Sequence, residues 1–322
     1  MIKNITLLRL VVVGLLLSSC APTDQDANQN HWVGAGTEDN PYLISTVEDV
    51  LTIKNMVNSG EASFSSTYFL QTCDLDFTNI VWDGIGSPYD GTSFRGLYNG
   101  GGHTIRNLHT PLDHDYCYGF FGVLGGVLMN LGLESGSIYG NASGALASHS
   151  TGDGGGLIIN CFSNVTVDAN RAGGIADNFI GGYIFNCISL STVIGPITGS
   201  ICTLAATLCS NVAYVGSATY TEFSGTIGNC HQILDGEIGG VIEKVNSFVE
   251  TAPNSQSAGF DVDSLYSFAY NEAERRVFFS NVYKNKRKDE ERISKIVFLS
   301  LSGIGLLLLV VAGILHLFSA KE

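Results

Sequence analysis

The residues most able to do chemistry lie close together in the segment His109-Thr-Pro-Leu-Asp-His-Asp-Tyr116. The segment offers two imidazoles and two carboxylates, from His109, Asp113, His114 and Asp115. Such groups in one loop could bind a metal ion or act as a general acid and base. We take Asp113 and Asp115 as catalytic candidates, and His109 and His114 as binding candidates. The spacing matches no defined ligand set, so a polar surface loop is the favoured alternative.

Two further carboxylates stand two residues apart, at Asp74 and Asp76. Alternate residues of a strand face the same side, so both could contribute oxygen ligands to a calcium ion. A solvated face or a pair that stabilises a turn is the favoured alternative. Calcium is the one cofactor that the sequence leaves open, because no pair of cysteines has the CxxC spacing typical of zinc sites.

Basic residues are scarce, which excludes one class of partner. Residues 36 to 235 contain four Lys or Arg against seventeen Asp or Glu. Nucleic-acid binding needs a basic surface, so it is excluded, and the same deficit argues against polyanionic sugars. His103, Arg95 and Arg106 form the one local basic group. A β-elimination lyase would need such a base and cation, but these scattered residues give that enzyme little support.

A repeat must position these residues. Each repeated unit has short apolar strands bracketed by glycine, with an asparagine between two of them, and the equivalent asparagines are Asn107, Asn130, Asn160 and Asn186. They are spaced 23, 30 and 26 residues apart. Units of this length with several short strands predict a solenoid. A leucine-rich repeat lacks its leucine framework here, and a propeller blade would need about 40 residues.

A β-helix fits these units, because equivalent positions of successive coils stack about 4.8 Å apart. We expect the four asparagines to form a ladder of amides that satisfy one another, with a structural role. Cys161 and Cys187 directly follow two of them, so they should also be neighbours and behave as small buried hydrophobes. Asn211 is expected to lie outside the ladder.

Four segments closely resemble the GLUG-motif family of bacterial-type surface proteins. They are GTEDNPYLISTVEDVLTIKNMVNSG (36–60), YFLQTCDLDFTNIVWDGIG (68–86), FRGLYNGGGHTIRNL (94–108) and YGFFGVLGGVLMNLGLESGSIYG (118–140). The likeness covers about residues 34–216. It implies a right-handed parallel β-helix of the pectin-lyase type, found on adhesin-like and cell-surface proteins and often without known activity.

The amino-terminal end of the solenoid should carry a cap. Ser45-Thr-Val-Glu48 matches a capping box, apolar residues follow at helical spacing to Val57, and Gly60 ends the pattern. The sequence therefore predicts a short helix over residues 46–58. Such a helix would cover the exposed first coil, which would otherwise invite association.

Both chain termini predict export and anchoring. Lys3 and Arg9 precede a short apolar run, as in a secretory signal, and the ending Leu-Ser-Ser-Cys20 resembles a lipobox whose cysteine is lipidated. An ordinary signal peptide with a chance cysteine is the alternative. Residues 296–318 carry no charge, and as a helix they would span a bilayer. A basic cluster at residues 284–295 opposes this topology by the positive-inside rule, although exported domains cross regardless of charge.

These observations predict an all-β protein, a right-handed parallel β-helix solenoid with a short amino-terminal capping helix and a carboxyl-terminal transmembrane helix. We expect a membrane-anchored, extracytoplasmic and non-enzymatic protein that serves adhesion or acts as a surface structural or interaction module. Its partners would be the membrane and a cell-surface protein or glycan, and the alternative function is a glycan-active enzyme, a glycosidase or lyase. The predicted segments are a signal peptide (1–20), a linker (21–35), the β-helix (36–235), a carboxyl-terminal extension and juxtamembrane stalk (236–292), the transmembrane helix (293–318) and a tail (319–322).

Overall fold

The computed structural model describes residues 32–153, 155–205, 208–216, 222–223, 226–228, 230–234, 237–251 and 265–282. The chain divides into two units, Met1–Val33 and Gly34–Glu322, and all the described helices and strands belong to the second. Two helices are described, α1 (Val47–Asn58) and α2 (Ile238–Thr251). The strands are β1 (Tyr42–Ile44), β2 (Tyr68–Gln71), β3 (Leu75–Asp76), β4 (Leu97–Arg106), β5 (Leu108–His109), β6 (Phe121–Leu124), β7 (Val127–Leu133), β8 (Gly136–Gly144), β9 (Ala147–Ser150), β10 (Leu157–Ile159), β11 (Phe162–Ser163), β12 (Thr166–Gly173), β13 (Ala176–Asn178), β14 (Tyr183–Phe185), β15 (Ile188–Ser189), β16 (Thr192–Ile194), β17 (Ile197–Gly199), β18 (Leu204–Ala205), β19 (Leu208–Ser210), β20 (Ala213–Val215), β21 (Glu222–Phe223), β22 (Thr226–Gly228), β23 (His231–Ile233), β24 (Tyr266–Asn271) and β25 (Arg276–Val282).

The strands wind into a parallel β-solenoid of about six turns, which confirms the predicted all-β repeat architecture. The strands of the solenoid fall into four columns, and each pairs in parallel with a strand of a neighbouring coil. The first column runs β1-β2-β4-β7-β10-β14-β19-β22, and the second runs β3-β4-β7-β11-β15-β20-β23, since β4 and β7 bend and serve both. The third contains β5, β8, β12, β16 and β17, and the fourth contains β6, β9, β13, β18 and β21.

A ladder of asparagine amides marks the corner between the first and second columns. Asn160 donates to Asn130 over 2.8 Å, and Asn130 donates to Asn99 over 2.9 Å. Further along, Asn186 donates to Asn160 and Asn211 donates to Asn186, each over 2.5 Å. The four later residues have φ between 51° and 54°, a left-handed backbone that asparagine tolerates better than most side chains. Asn130, Asn160 and Asn186 each both donate and accept, so a row of identical residues satisfies itself from one rung to the next.

Two predicted positions of this ladder are wrong. Asn107 lies at the next corner, between the second and third columns, where its amide donates to Asp76 and Thr78. Asn211, expected outside the ladder, is its last described rung. The error arises because β4 shifts register between Asn99 and His103, so Asn99 supplies the amide in that coil from outside the repeated motif.

Glycine is needed where side chains from neighbouring coils fill the same space. Phe162 lies directly over Gly132 in the paired register, and a Cβ on Gly132 would come within 2.2 Å of the Phe162 ring.

The cysteine thiols next to the ladder also lie in the interior. The Cys161 backbone N–H lies 3.5 Å from the Cys187 sulfur, and both residues are fully buried. Burial raises the pKa of the Cys187 thiol, as does its hydrogen bond with Cys161, so the thiol stays protonated and packs as a small hydrophobe.

The predicted amino-terminal helix is present as α1, but its capping box is shifted by one residue. The N-cap is Thr46, whose hydroxyl accepts from the Asp49 N–H over 3.2 Å. In turn, the Asp49 carboxylate accepts hydrogen bonds from the backbone N–H groups of Thr46 and Ser45, each over 2.8 Å. The sequence contains two overlapping boxes, and the one ending in Asp49 is used because its carboxylate can bind both backbone donors.

The described part of the predicted stalk folds back on the solenoid. One buried cluster joins the second column to α2 and to the antiparallel hairpin β24–β25, and contains Phe162, Ile188, Ala213, Ile233, Val241, Ile242, Val245, Phe268 and Val277. The ladder amides add polar contacts, since Asn160 donates to the Tyr266 carbonyl and Asn211 to the Val245 carbonyl, each over 2.9 Å. A free stalk would leave the apolar row of the second column exposed, which explains why the extension packs against it.

Several predicted segments lie outside the described residues. These are the signal peptide with Cys20 (1–20), most of the linker (21–35), and the transmembrane helix and tail (293–322). Neither α1 nor α2, the two helices that the structure describes, is long and apolar enough to cross a membrane.

The ladder predicts a specific loss of stability. Asn160→Gly keeps the left-handed backbone available but leaves the amides of Asn130 and Asn186 without one partner each. We expect it to lower the free energy of unfolding by about 1–3 kcal/mol, because the site is fully buried. Urea unfolding of the variant and of the wild type measures the difference.

The matched control is Asn79→Gly, since Asn79 has a similar φ of 65° but is exposed. It should change the free energy of unfolding by no more than about 0.5 kcal/mol. Equal effects at the two positions would contradict the ladder's contribution to stability.

Candidate functional site

His109 ends β5 and His114 lies in the loop between β5 and β6, and each histidine is bound to the next coil rather than to the other. His109 Nδ1 lies 2.7 Å from the Ser137 hydroxyl. His114 Nδ1 lies 2.9 Å from the Gly140 carbonyl, so that nitrogen carries the proton. These contacts fasten the loop to β8. They do not bring the two imidazoles together as ligands of one ion.

The carboxylate of Asp113, one of the two predicted catalytic residues, is bound by neighbouring groups. The Tyr118 hydroxyl donates to both oxygens of Asp113 at 3.3 Å, and the Asp115 backbone N–H donates to Asp113 over 3.3 Å. Burial, and then the charge of Asp113, raise the pKa of the Tyr118 phenol. Tyr118 is therefore a permanent donor, and Asp113 is an acceptor at the edge of a group of tyrosines.

This group of tyrosines lines a cleft of about 250 Å³, which we call the tyrosine cleft; its walls include Tyr89, Tyr116, Tyr118, Asp83, Asp90 and Cys117. The Tyr89 and Tyr116 rings meet edge to face with centroids 5.4 Å apart, and Tyr116 and Tyr118 are 6.3 Å apart. Tyr89 is 54% exposed and Tyr116 is 53% exposed. Half-exposed rings in a concave site offer apolar faces to a ligand without being part of the core.

The polar groups around the rings are mostly acceptors. The Tyr89 hydroxyl donates to the Asp115 carbonyl over 3.2 Å and lies 3.3 Å from the Cys117 sulfur. The bond to Cys117, with partial burial, raises the pKa of Tyr89 to about 12. Asp83 pairs with Lys54 over 2.6 Å. Carboxylates thus outnumber cations here, so the cleft suits a neutral ligand with donor groups better than an anion.

The buried aromatic core sets the position of the cleft. The Trp82 indole stacks on Phe120 at 5.5 Å and donates to the carbonyls of Gly119 and Phe120, both over 3.1 Å. Trp82 precedes one cleft loop, and Gly119 and Phe120 follow the other. The same contact therefore fixes both loops against each other.

The predicted calcium pair does not form a shared site. Asp74 accepts from the Thr104 N–H over 2.8 Å and lies 3.5 Å from His103. Asp76 accepts from the Thr78 hydroxyl over 2.6 Å, the Thr78 N–H over 2.9 Å and Asn107 over 2.9 Å. Within the described residues, no group of three or more His, Cys, Asp or Glu could hold a metal ion. The partners of Asp76 are those of a carboxylate that stabilises a turn.

The predicted basic group is also dispersed. His103 pairs with Asp74, while Arg95 pairs with Asp153 over 3.2 Å and lines a second cleft together with His149. Sequence reasoning missed His149 and the tyrosines. The spacing of the tyrosines was an available signal. Tyr89 precedes Tyr116 by 27 residues, about one coil, and Tyr118 follows Tyr116 by two residues.

Comparison with known proteins gives partial matches. No family model matches the sequence. Halomucin of Haloquadratum walsbyi is 30% identical over 150 residues, which are 44% of this chain and 2% of halomucin. A protein of Evansella cellulosilytica, provisionally described as a Gly-rich membrane protein, is 30% identical over 135 residues, 39% of this chain and 15% of that protein. The chain thus spans a small part of the relatives it matches.

Among solved structures, a chain from Bacteroides ovatus provisionally described as an immunoglobulin A1 protease is similar in part. It is 16% identical with a TM-score of 0.46, over 77% of this chain and 94% of that chain. At this score the likeness supports no argument about the present chain.

The partners of Asp76 predict a pH-dependent contribution to stability. Hydrogen bonds from Thr78 and then Asn107 lower the pKa of Asp76 to about 2 from an ordinary value of 3.8. A group whose pKa is lowered on folding contributes stability above its unfolded pKa and loses it as pH falls through the folded pKa. Asp76→Asn should therefore lower the urea midpoint at neutral pH, and the difference from the wild type should fade between pH 3.8 and about 2.

A second variant tests the cause of that shift. Thr78→Val removes the shortest donor to Asp76, so its acid-induced loss of stability should begin at a higher pH than in the wild type. A difference between Asp76→Asn and the wild type that stays constant from neutral pH to pH 2 would refute the assigned hydrogen bonds.

Proposed function

We propose that the chain is a membrane-anchored, extracytoplasmic β-helix protein that binds neutral glycans in the tyrosine cleft and thereby serves adhesion. The proposal includes membership of the GLUG-motif surface class and the right-handed winding expected from it. Connections between parallel strands of one sheet are almost always right-handed, which supports that winding.

The tyrosine cleft is the observation that carries the proposal. A sugar ring presents C–H groups on its faces and hydroxyl donors at its rim. The cleft presents ring faces from Tyr89 and Tyr116 and carboxylate acceptors from Asp83 and Asp90. Aromatic faces combined with placed polar groups are common in small-molecule sites. The excess of carboxylates disfavours acidic sugars, so neutral glycans fit best.

The anchoring part of the proposal rests on the sequence and on the names of relatives. The apolar stretch 293–318 and the amino-terminal signal are the features that would place the solenoid outside the cytosol. One relative is described provisionally as a membrane protein, which agrees with this location. Adhesion needs no turnover. The Asp113 carboxylate is already bound by Tyr118 and by the Asp115 N–H, which does not favour the alternative of a glycan-active enzyme.

Loss of either exposed ring should weaken glycan binding without loss of the fold. Tyr89→Ala and Tyr116→Ala should each weaken binding to neutral glycans by at least about tenfold, because aromatic anchors that become buried on binding often contribute about 2 kcal/mol or more. A glycan array identifies the ligands, and calorimetry on the full-length chain measures the affinities. Tyr183→Ala is the matched control, since Tyr183 is 48% exposed on β14 and lies outside the cleft.

Three outcomes would count against the proposal. Equal losses in Tyr183→Ala would show that the cleft is not the site, and no binding to any neutral glycan would end the glycan function. Release of cleaved sugar from a bound glycan would favour the enzyme over the adhesion module.

The proposed topology has its own test. Protease added to intact cells should remove the repeat domain, and a lipid label should be lost in Cys20→Ala if Cys20 is lipidated. Digestion only after lysis would place residues 284–295 in the cytosol, as the positive-inside rule prefers, and would overturn the extracytoplasmic location.

A further inference from the structure

A second cleft lies beside the tyrosine cleft, on the other side of one short loop. It has a volume of about 240 Å³, and its walls include Arg95, His149, Ser87, Ser93, Ser150 and Thr151. We call it the arginine–histidine cleft. None of these residues belongs to the machinery described above except Ser87, which also lines the tyrosine cleft.

The loop between the clefts is closed by its own backbone. The Ser87 N–H donates to the Thr92 carbonyl over 3.0 Å, and the Thr92 N–H donates to the Ser87 carbonyl over 3.1 Å. Tyr89 and Asp90 of this loop line the tyrosine cleft, while Gly91 and Thr92 line the arginine–histidine cleft. A loop tied at its base in this way holds the two clefts at a fixed spacing.

Hydrogen bonds fix the tautomer of His149. The Ser148 hydroxyl donates its single proton to the Ala142 carbonyl over 2.6 Å, so it must accept from His149 Nδ1 at 2.8 Å. Nδ1 then carries the proton, and Nε2 of the neutral ring is an acceptor. Burial lowers the pKa of His149, although the charge of Asp177 partly opposes this and that of Arg171 adds to it. The cleft thus gains a fixed neutral acceptor at neutral pH.

Arg95 offers N–H donors to the cleft, while its positive charge is balanced by the carboxylate of Asp153. Both of its terminal nitrogens donate to one oxygen of Asp153 at 3.2 Å, and the Thr151 hydroxyl donates to the other oxygen at 2.5 Å. These bonds use two of the five N–H groups of a guanidinium. The hydrogen bond from Thr151 and the contact with Arg95 lower the pKa of Asp153, so the ion pair persists near neutral pH. A paired arginine offers N–H donors to hydroxyl groups but little attraction for an anion.

We propose that the two clefts form one binding surface for an extended neutral oligosaccharide. One sugar lies against the rings of the tyrosine cleft, and a later sugar of the same chain lies in the arginine–histidine cleft. There, Arg95 donates to its hydroxyl groups and His149 Nε2 accepts from one. This inference rests on the proposed glycan binding and specifies its ligand as a chain long enough to cross the Ser87–Thr92 loop.

The length dependence of binding tests the inference. Calorimetry with the full-length chain in lipid nanodiscs would compare neutral oligosaccharides, from disaccharides to hexasaccharides, of the type found on the array. The wild type should bind the longer chains at least about tenfold more tightly than the shorter ones. Arg95→Gln should remove about tenfold of affinity for the long chains and leave the short ones unchanged, because a hydrogen bond from a charged donor is lost.

Further variants distinguish a loss of binding from a loss of folding. Ser93→Ala removes one hydroxyl at a partly exposed position and should also reduce binding of the long chains only. Arg275→Gln is the matched control, since Arg275 is exposed at the turn of the β24–β25 hairpin, away from both clefts. Tyr89→Ala should weaken binding of short and long chains alike.

The possible results separate this inference from the proposed function. Binding that is independent of length, or unchanged long-chain affinity in Arg95→Gln and Ser93→Ala, would overturn the inference while leaving the tyrosine cleft as a site. Preference for a chain that carries a carboxylate sugar, lost in Arg95→Gln, would overturn the neutral class. Absence of binding to any neutral glycan would refute the proposed function itself.

Discussion

The stacking of one coil on the next at a fixed register is the constraint on which the rest of this structure depends. Backbone hydrogen bonds hold neighbouring coils about 4.8 Å apart but do not choose the register, because every peptide offers the same donor and acceptor. The asparagine ladder makes that choice. An amide at a left-handed corner finds its partner only if the next coil places an asparagine at the same corner, as Asn130, Asn160, Asn186 and Asn211 do. A slip by one residue would leave buried amides unpaired.

Once the register is fixed, the lengths of the connections decide where chemistry can occur. Corners that carry one or two residues leave no room for a site, so functional side chains are confined to the longer loops. The loops that enclose the tyrosine cleft follow Trp82 and β5, and the Trp82 indole ties their ends together inside the core. The acidic excess of residues 36–235 then selects among ligands, because carboxylates at the cleft repel anions while accepting from hydroxyl groups.

The sequence was sufficient to predict the repeat but not the segments that pack against it. Asn130, Asn160 and Asn186 could be aligned because each lies in the same local pattern of apolar strands. Asn99 could not, since a register shift in β4 brings its amide to the corner from a different position. The docking of α2 and the hairpin was missed because their apolar residues read equally well as a stalk. Only the pairing of coils shows that Phe162 and Ile188 form an apolar row that must be shielded from water. The partners of the candidate site residues could not be predicted either, because His109 and Asp76 bind residues of other coils.

The two ends of the described solenoid are stabilised in different ways, and this difference bears on where binding takes place. The early coils are filled by large rings, among them Phe94, Phe120 and Phe121, which pack at centroid distances of 5.0–5.1 Å. The later coils use smaller interior residues such as Ile184, Cys187 and Cys209, and α2 packs on their second column, while the hairpin also reaches the early strands β4 and β7. An external layer occupies the outer surface of its coils and so competes with a ligand for it. The layer of α2 and the hairpin lies on the first and second columns, whereas both clefts are formed by loops that flank the fourth column.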